Sequence, residues 1–507
     1  MKKRANPIIT GTLILTVTGL LARLIGFFYR IYLSNLIGAE GMGIYQLIAP
    51  ISGICFALCC GPIQTAVSRF VAASIGMNQT RAARSNYYAG LLLTEMLAIA
   101  TALVLYTQAG WIALHLLSEP RCTVLLQLLA LSLPITAAHA AMNGYYYGLR
   151  RTEVPSLSQL AEQFIRVLMV YLIAGKLNET GQEITVTIAA LGLIAGELGS
   201  LAVSYIAISI TFRKEDKLLD QTLKPALGTP IRKILLLATP LAANRLILGV
   251  LQSIEAIQIP SRLQVSGLTS SAALSVYGVL TGMSLPFILF PSALTNSVAV
   301  MLLPSVAEAQ SVKDDKKIER TTELSMGYSL YLGILCTGIF ITYGGDMGSL
   351  FFHDASAGAY IRILGWLCPF LYVTTTAGSI INGMGRTSTT FIQNVLGLVL
   401  RLGFVIFLIP RFGIVAYLWG ALACQLLVSG LHTYSLWKMV PFSFSAFHRI
   451  FRPMSAVAIA VWVTQTFVQI SGIAGLVLGC IGICLIYFLL LYVTGTTPLP
   501  FRKNKER

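Results

Sequence analysis

Fourteen long apolar runs, separated by short polar turns, constrain this chain more than any other feature. They cover positions 8–34, 42–74, 84–108, 121–149, 154–175, 184–212, 231–259, 272–306, 322–344, 358–382, 388–409, 413–439, 450–470 and 473–495. About 20 apolar residues, at about 1.5 Å of rise each, cross a hydrocarbon core about 30 Å thick. A soluble core has no use for so many such segments in succession, so the expected fold is an all-α polytopic membrane protein with 14 transmembrane helices. Composition agrees, since 56% of the 507 residues are hydrophobic and 11% are charged, whereas soluble domains carry about 25% charged residues. Lys2, Lys3 and Arg4 precede the first run as in a signal peptide. That run is too long, contains arginines and lacks a small-residue cleavage site, so it reads as a retained first helix.

Charge tests the count. With the amino terminus in the cytoplasm, 25 Lys and Arg fall on that side and five (Arg121, Lys176, Arg262, Arg362 and Arg411) on the other. This is the positive-inside bias, and it places both termini in the cytoplasm. The net charge of +16 is thereby mostly topology. Dispersed over short loops, it forms no nucleic-acid-binding patch. The longest loops, Phe212 to Ile231 and Ala307 to Thr321, are too short to house a catalytic domain.

The chain also repeats itself. Arg151-Thr152 and Arg166 match Arg386-Thr387 and Arg401, and both sets follow an Asn-Gly pair, Asn143-Gly144 and Asn382-Gly383. Arg23 in the first run and Arg245 in the seventh are expected at similar depth. Proline-interrupted runs follow each, with Pro50 and Pro62 in the second and Pro286 and Pro291 in the eighth. These prolines are the expected bending elements, because helix breaks in a membrane are tolerated where protein or a wet cavity satisfies the freed carbonyls. The expected organisation is two pseudo-symmetric six-helix lobes, 1–212 and 231–440, joined by a cytoplasmic linker, 213–230, with two further helices and a basic tail in 441–507. Repeats of this kind place substrate sites near the midplane.

Six arginines lie inside the runs: Arg23, Arg30, Arg69, Arg166, Arg245 and Arg401, together with Glu95, Glu162, Glu197 and Glu255. A charge at bilayer depth costs about 3 kcal/mol or more. Glu162 and Arg166 are one turn apart and are expected to pair, and Arg401 is assigned the same structural role. The first run contains no acid at all, so Arg23 and Arg30, with Arg245, are expected to face a cationic cavity, which Arg69 and Glu255 join. Guanidinium forks suit phosphate and pyrophosphate, whose oxygens they meet two at a time. The nine cysteines lack metal spacing and read as small hydrophobes. No nucleotide loop, nucleophile elbow or zinc motif occurs. The sequence therefore predicts a transporter with no cofactor, no metal and no catalytic residue, driven by an ion gradient, by the membrane potential or by the gradient of its substrate.

Three stretches carry a resemblance: LARLIGFFYRIYLSNLIGAEGMGIYQLIAPI, VYGVLTGMSLPFILFPSALTNSVAVMLLPSVAEAQ and INGMGRTSTTFIQN. The chain resembles the stage V sporulation protein B branch of the polysaccharide-transport family, within the multidrug/oligosaccharidyl-lipid/polysaccharide exporter (MOP) superfamily. ARLIGFFYR is also similar, more distantly, to a segment of lipid II flippases, which implies that Arg23 is the counterpart of a functional cavity arginine. There the pattern departs, for Tyr29 stands where that relative has arginine, Arg30 where it has an acid, and Cys55 to Gly61 are uncharged. The resemblance implies a flippase for an undecaprenyl-pyrophosphate-linked saccharide in the bacterial cytoplasmic membrane. A lipid II-type peptidoglycan precursor or another polysaccharide unit is the implied cargo, with spore cortex synthesis as a candidate setting and cell-wall synthesis proteins as candidate partners. Two alternatives stand beside it: a cation-coupled multidrug exporter of the same superfamily, and an integral-membrane glycosyltransferase for which His353-Asp354 is a thin candidate.

Overall fold

A computed structural model describes residues 7–216, 228–440, 442, 445, 447–468 and 470–495. Lys2, Lys3 and Arg4, most of the expected linker and the basic tail Arg502 to Arg507 lie outside the described residues. The α-helices are α1 (Pro7–Cys59), α2 (Gly61–Gly76), α3 (Thr80–Trp111), α4 (Cys122–Gly148), α5 (Glu153–Glu179), α6 (Thr187–Asp216) and α7 (Gly228–Val265). They continue as α8 (Ser270–Gly278), α9 (Leu285–Leu289), α10 (Ser292–Ser311), α11 (Asp315–Phe352), α12 (Ala355–Leu364), α13 (Cys368–Gly383) and α14 (Thr387–Gly403). The last are α15 (Ile409–Phe412), α16 (Ile414–Met439), α17 (Arg452–Phe467) and α18 (Gly472–Val493).

Among the described residues 13 helical stretches are long and apolar enough to cross a membrane. The first, Val17–Gly76, is 60 residues long, about 90 Å of helix and three times the hydrocarbon thickness. It bends at Gly38, whose φ of 70° lies in the left-handed region that only glycine enters freely. Counting it as two gives the fourteen crossings that the apolar runs predict. Each proline sits where its missing N–H and ring clash are tolerated or put to use. Pro62 opens α2 directly after the break at Cys60, Pro286 opens α9 after a π-helical turn at Val279–Ser284, and Pro291 immediately precedes α10. Of these four, Pro50 alone lies within a continuous helix, α1, as Pro134, Pro240, Pro260 and Pro304 do in α4, α7 and α10.

Internal packing divides the chain into two compact units, one of 1–261 with 269–278, the other of 262–268 with 279–507. The first unit thus takes in α7 and α8, which the sequence reading places in a second lobe. The reason is local: Gly43 of α1 lies directly against the Leu274 backbone, Gly278 against Ala39, and the Arg245 guanidinium against Gly61. Ion pairs tie the ends of the first unit. Arg84 of α3 binds Glu215 at 2.7 Å, Asp216 and the Phe212 carbonyl at the end of α6. At the opposite end Arg121 donates to Glu119 and Glu40, each at 2.7 Å, and Ser271 donates to Glu40. The Glu119 bond first, then that to Glu40, holds the Arg121 guanidinium above its ordinary pKa. The Arg121–Glu40 pair, which is open to solvent on both sides, contributes about 0–1 kcal/mol.

The repeat is visible in each unit's own contacts at a constant offset of 235 positions, that from Arg151 to Arg386. At the end of α4 the Arg151 amide donates to Tyr146 O, and at the end of α13 the Arg386 amide donates to Ile381 O. Gly148 of α4 packs on Val71 and Ser68 of α2, as Gly383 of α13 packs on Val306 and Leu303 of α10. Ser158 of α5 bonds Ser200 of α6, and Gln393 of α14 bonds Ser435 of α16. This register corrects the Asn-Gly match. Asn143-Gly144 corresponds to Gly378-Ser379, and Asn382-Gly383 to Tyr147-Gly148. The dipeptides differ by four residues, one helical turn, which returns a small residue to the same face and makes the two registers look alike.

Candidate functional site

α4 is apolar overall, yet Ser132, Thr136, His139 and Asn143 recur at spacings of four, three and four, which puts them on one face. That face lines a cavity of about 490 Å³ within the first unit. Ala49, Ser52, Gly53 and Phe56 of α1, Gln64 of α2, Glu162 of α5 and Glu197 of α6 close its other sides. The Glu197 Oε2 accepts from Thr136 Oγ1 at 2.9 Å and lies 2.6 Å from His139 Nε2. One turn of α5 joins the Arg166 guanidinium to Glu162, and Gln163 donates to the same carboxylate at 3.4 Å. Two buried nitrogens in this group, His139 Nδ1 and Arg166 Nε, have no hydrogen-bond partner. The arrangement can hold a cation or exchange a proton, because it concentrates two carboxylates and an imidazole around a space large enough for water.

The arginines expected to make a cationic surface are placed differently. Arg23 and Arg30 are both exposed on α1. Arg30 is nevertheless crowded on its other sides, with Tyr45 and Arg166 as electrostatic neighbours. Arg245 is exposed on α7, seated against Gly61 and so beside Phe56 at the edge of the cavity. Arg23, Arg30, Arg69 and Arg245 form no ion pair among the described residues. Arg69 is exposed two turns from the end of α2. Glu255 is only 5% exposed and has an interaction partner. Arg401 is half-buried on α14, also partnered.

The pairing of His139 with Glu197, 58 residues away, is the functional feature that the sequence reading misses. Its signal is the polar stripe on α4, legible at helical spacing once the run is accepted as one helix. Among the described residues no group of three His, Cys, Asp or Glu is disposed to hold a metal ion.

Three comparisons bear on this geometry. A family model described as "Polysaccharide biosynthesis protein" matches residues 8–310. The chain is 24% identical to stage V sporulation protein B of Bacillus subtilis (strain 168) over 438 residues, 85% of this chain and 84% of the relative. Among solved structures it is similar to the lipid II flippase MurJ in an inward closed conformation, with a TM-score of 0.71 at 12% identity over 95% of this chain and 98% of that one. It is also similar to an inward-facing multidrug resistance MATE family transporter of the MOP superfamily, with a TM-score of 0.67 at 13% identity over 83% and 94% of the two chains.

Proposed function

Because the chain belongs to the polysaccharide biosynthesis protein family, we propose that it is a flippase that carries a lipid-linked saccharide across the membrane by its pyrophosphate. One observation carries this reading. Arg23, Arg30 and Arg245 are exposed inside apolar helices with no ion-pair partner among the described residues. A guanidinium facing lipid at that depth costs several kcal/mol, so these three groups need an anion, and pyrophosphate offers oxygens in the planar geometry they fit. The lipid tail stays in the bilayer while the saccharide crosses, and bending at Pro62 and Pro291 opens the site alternately to each side. The cargo class is an undecaprenyl-pyrophosphate-linked unit such as a peptidoglycan precursor. Both chain ends lie in the cytoplasm, so single cysteines at Glu179 and Asp354 are expected to react with an impermeant thiol reagent from outside and one at Asp315 is not.

A second reading, export of organic cations, draws support from Glu162 and Glu197 in the cavity. Binding to the purified protein separates the two. The flippase reading expects lipid II to bind more tightly than undecaprenyl phosphate and far more tightly than a cationic dye. A dye that binds best and is not displaced by lipid II would put the exporter first.

A further inference from the structure

The cavity in the first unit contains a base that its surroundings leave unused. A neutral imidazole donates from one nitrogen and accepts at the other, and its neighbours decide which is which. At His139 the neighbour of Nε2 is a carboxylate oxygen of Glu197 at 2.6 Å. A carboxylate accepts, so Nε2 carries the hydrogen and the lone pair is left on Nδ1. That Nδ1 is buried without a partner, on a residue only 9% exposed that nevertheless lines the cavity.

The charges around it leave room for one proton. Glu162 and Arg166 of α5 pair and cancel. Glu197 of α6 accepts hydrogen bonds from Thr136 and His139 and has Arg166, already paired with Glu162, as its further cationic neighbour. From α1 the facing groups are Tyr29 and Tyr45, which lie near Arg166, together with Arg30 and Cys59. Cys60, between α1 and α2, has both Glu197 and Glu95 of α3 as electrostatic neighbours. Arg30 is the one cation among these groups, and its electrostatic neighbours are Tyr45 and Arg166, not Glu197. Folding does not explain the cluster either, because the second unit builds the corresponding hairpins without it. At the offset of 235, Thr374 stands for His139, Gly397 for Glu162 and His432 for Glu197.

The geometry points to the His139–Glu197 pair as a proton-binding site, in which the Nδ1 lone pair takes a proton from hydronium that reaches the cavity and one water is released, while the Glu197 carboxylate stays ionised and holds the imidazolium. Nothing is oxidised or reduced. Loading changes the field at Glu162, which counts His139, Glu197 and Arg166 among its electrostatic neighbours, and through Arg166 at Arg30. Its use to drive transport rests on the flippase reading, whereas proton binding does not.

The test uses the full-length protein in lipid nanodiscs with histidine ring nitrogens labelled by ¹⁵N and followed by NMR from pH 5 to 8, the ordinary range for histidine. The expected result is one ring, absent from His139→Asn, that passes from charged to neutral within that range. Glu197→Gln removes the stabilising anion, so the midpoint moves to lower pH by one unit or more, a tenfold loss of proton affinity. Should His139→Asn fail to fold, a variant with His115, His353, His432 and His448 replaced by asparagine leaves His139 as the sole signal. A ring that keeps one protonation state throughout, an unmoved midpoint in Glu197→Gln, or a signal that sodium shifts at fixed pH would overturn the proposal. No lipid substrate is added, so a negative result leaves the flippase reading standing.

Discussion

The first and second units use one frame twice and fill it with different chemistry. In both, a glycine of the same register lets two helices meet, Gly148 on Val71 and Gly383 on Val306. In both, a polar side chain then ties the next two helices, Ser158 to Ser200 and Gln393 to Ser435. The interiors diverge from there. The first unit gathers His139, Glu162 and Glu197 around a cavity with Arg166 beside them, whereas the second keeps Arg401 in the place of Arg166 but has Thr374, Gly397 and His432 in the other three, with neutral pairs such as Gln425 donating to Thr374 at 2.9 Å. Shared contacts, with the arginine that both copies keep at Arg166 and Arg401, therefore belong to the fold, and the imidazole and carboxylates of His139, Glu162 and Glu197, which only the first copy has at these positions, belong to what the protein does.

Removing a charge is the harshest way to probe that difference. Arg166→Ala strands Glu162 without its partner and should destabilise the protein by about 3 kcal/mol or more. Gln393→Ala in the second unit loses only neutral hydrogen bonds and should cost about 1 kcal/mol. Unfolding of both variants in one lipid and detergent mixture makes the comparison, and equal losses would erase the distinction between the units. Next in size is the shared frame. A Cβ at Gly148 would stand 2.7 Å from the Val71 Cβ, and one at Gly383 would stand 2.9 Å from Leu303 O. Each glycine-to-alanine change should therefore cost about 1–3 kcal/mol. A twofold or greater disparity in thermal shift between them would show that the frame is not shared in energy as it is in geometry. Smallest is Thr374→Ala, which removes one bond between helices, that from Gln425, along with the hydroxyl's local bond to Phe370 O, and should cost about 0.6 kcal/mol for the bond between helices. A loss as large as that of Arg166→Ala would mean that the neutral interior is as tightly constrained as the charged one.

Much of the frame was legible in the sequence because membrane spans announce themselves through length and hydropathy alone. The run from 8 to 74 reads as two crossings even though its helices join without a loop, and Gly38 supplies the bend. The register of the repeat was harder to fix. Arg151 and Arg386 give it correctly, while the Asn-Gly dipeptides mislead by one turn because position i+4 shares a face with i. Site residues divide in the same way. Glu162 and Arg166 lie four apart on one helix, so their pairing follows from local geometry. His139 and Glu197 meet only because α4 packs on α6, and nothing local to either residue specifies that contact. The grouping of α7 and α8 with the first unit is likewise a product of close backbone approach at Gly43 and Gly278, which an apolar run does not disclose.

The central claim is that exposed arginines in apolar helices hold the phosphate of the cargo, and the direct measurement is flipping of a labelled lipid-linked saccharide in proteoliposomes at matched protein levels. Arg23→Lys keeps a point charge but loses the planar fork, so it should retain part of the activity, whereas Arg23→Gln should lose most of it. Full activity of Arg23→Gln, or equal transport of a lipid that carries no phosphate, would contradict the account.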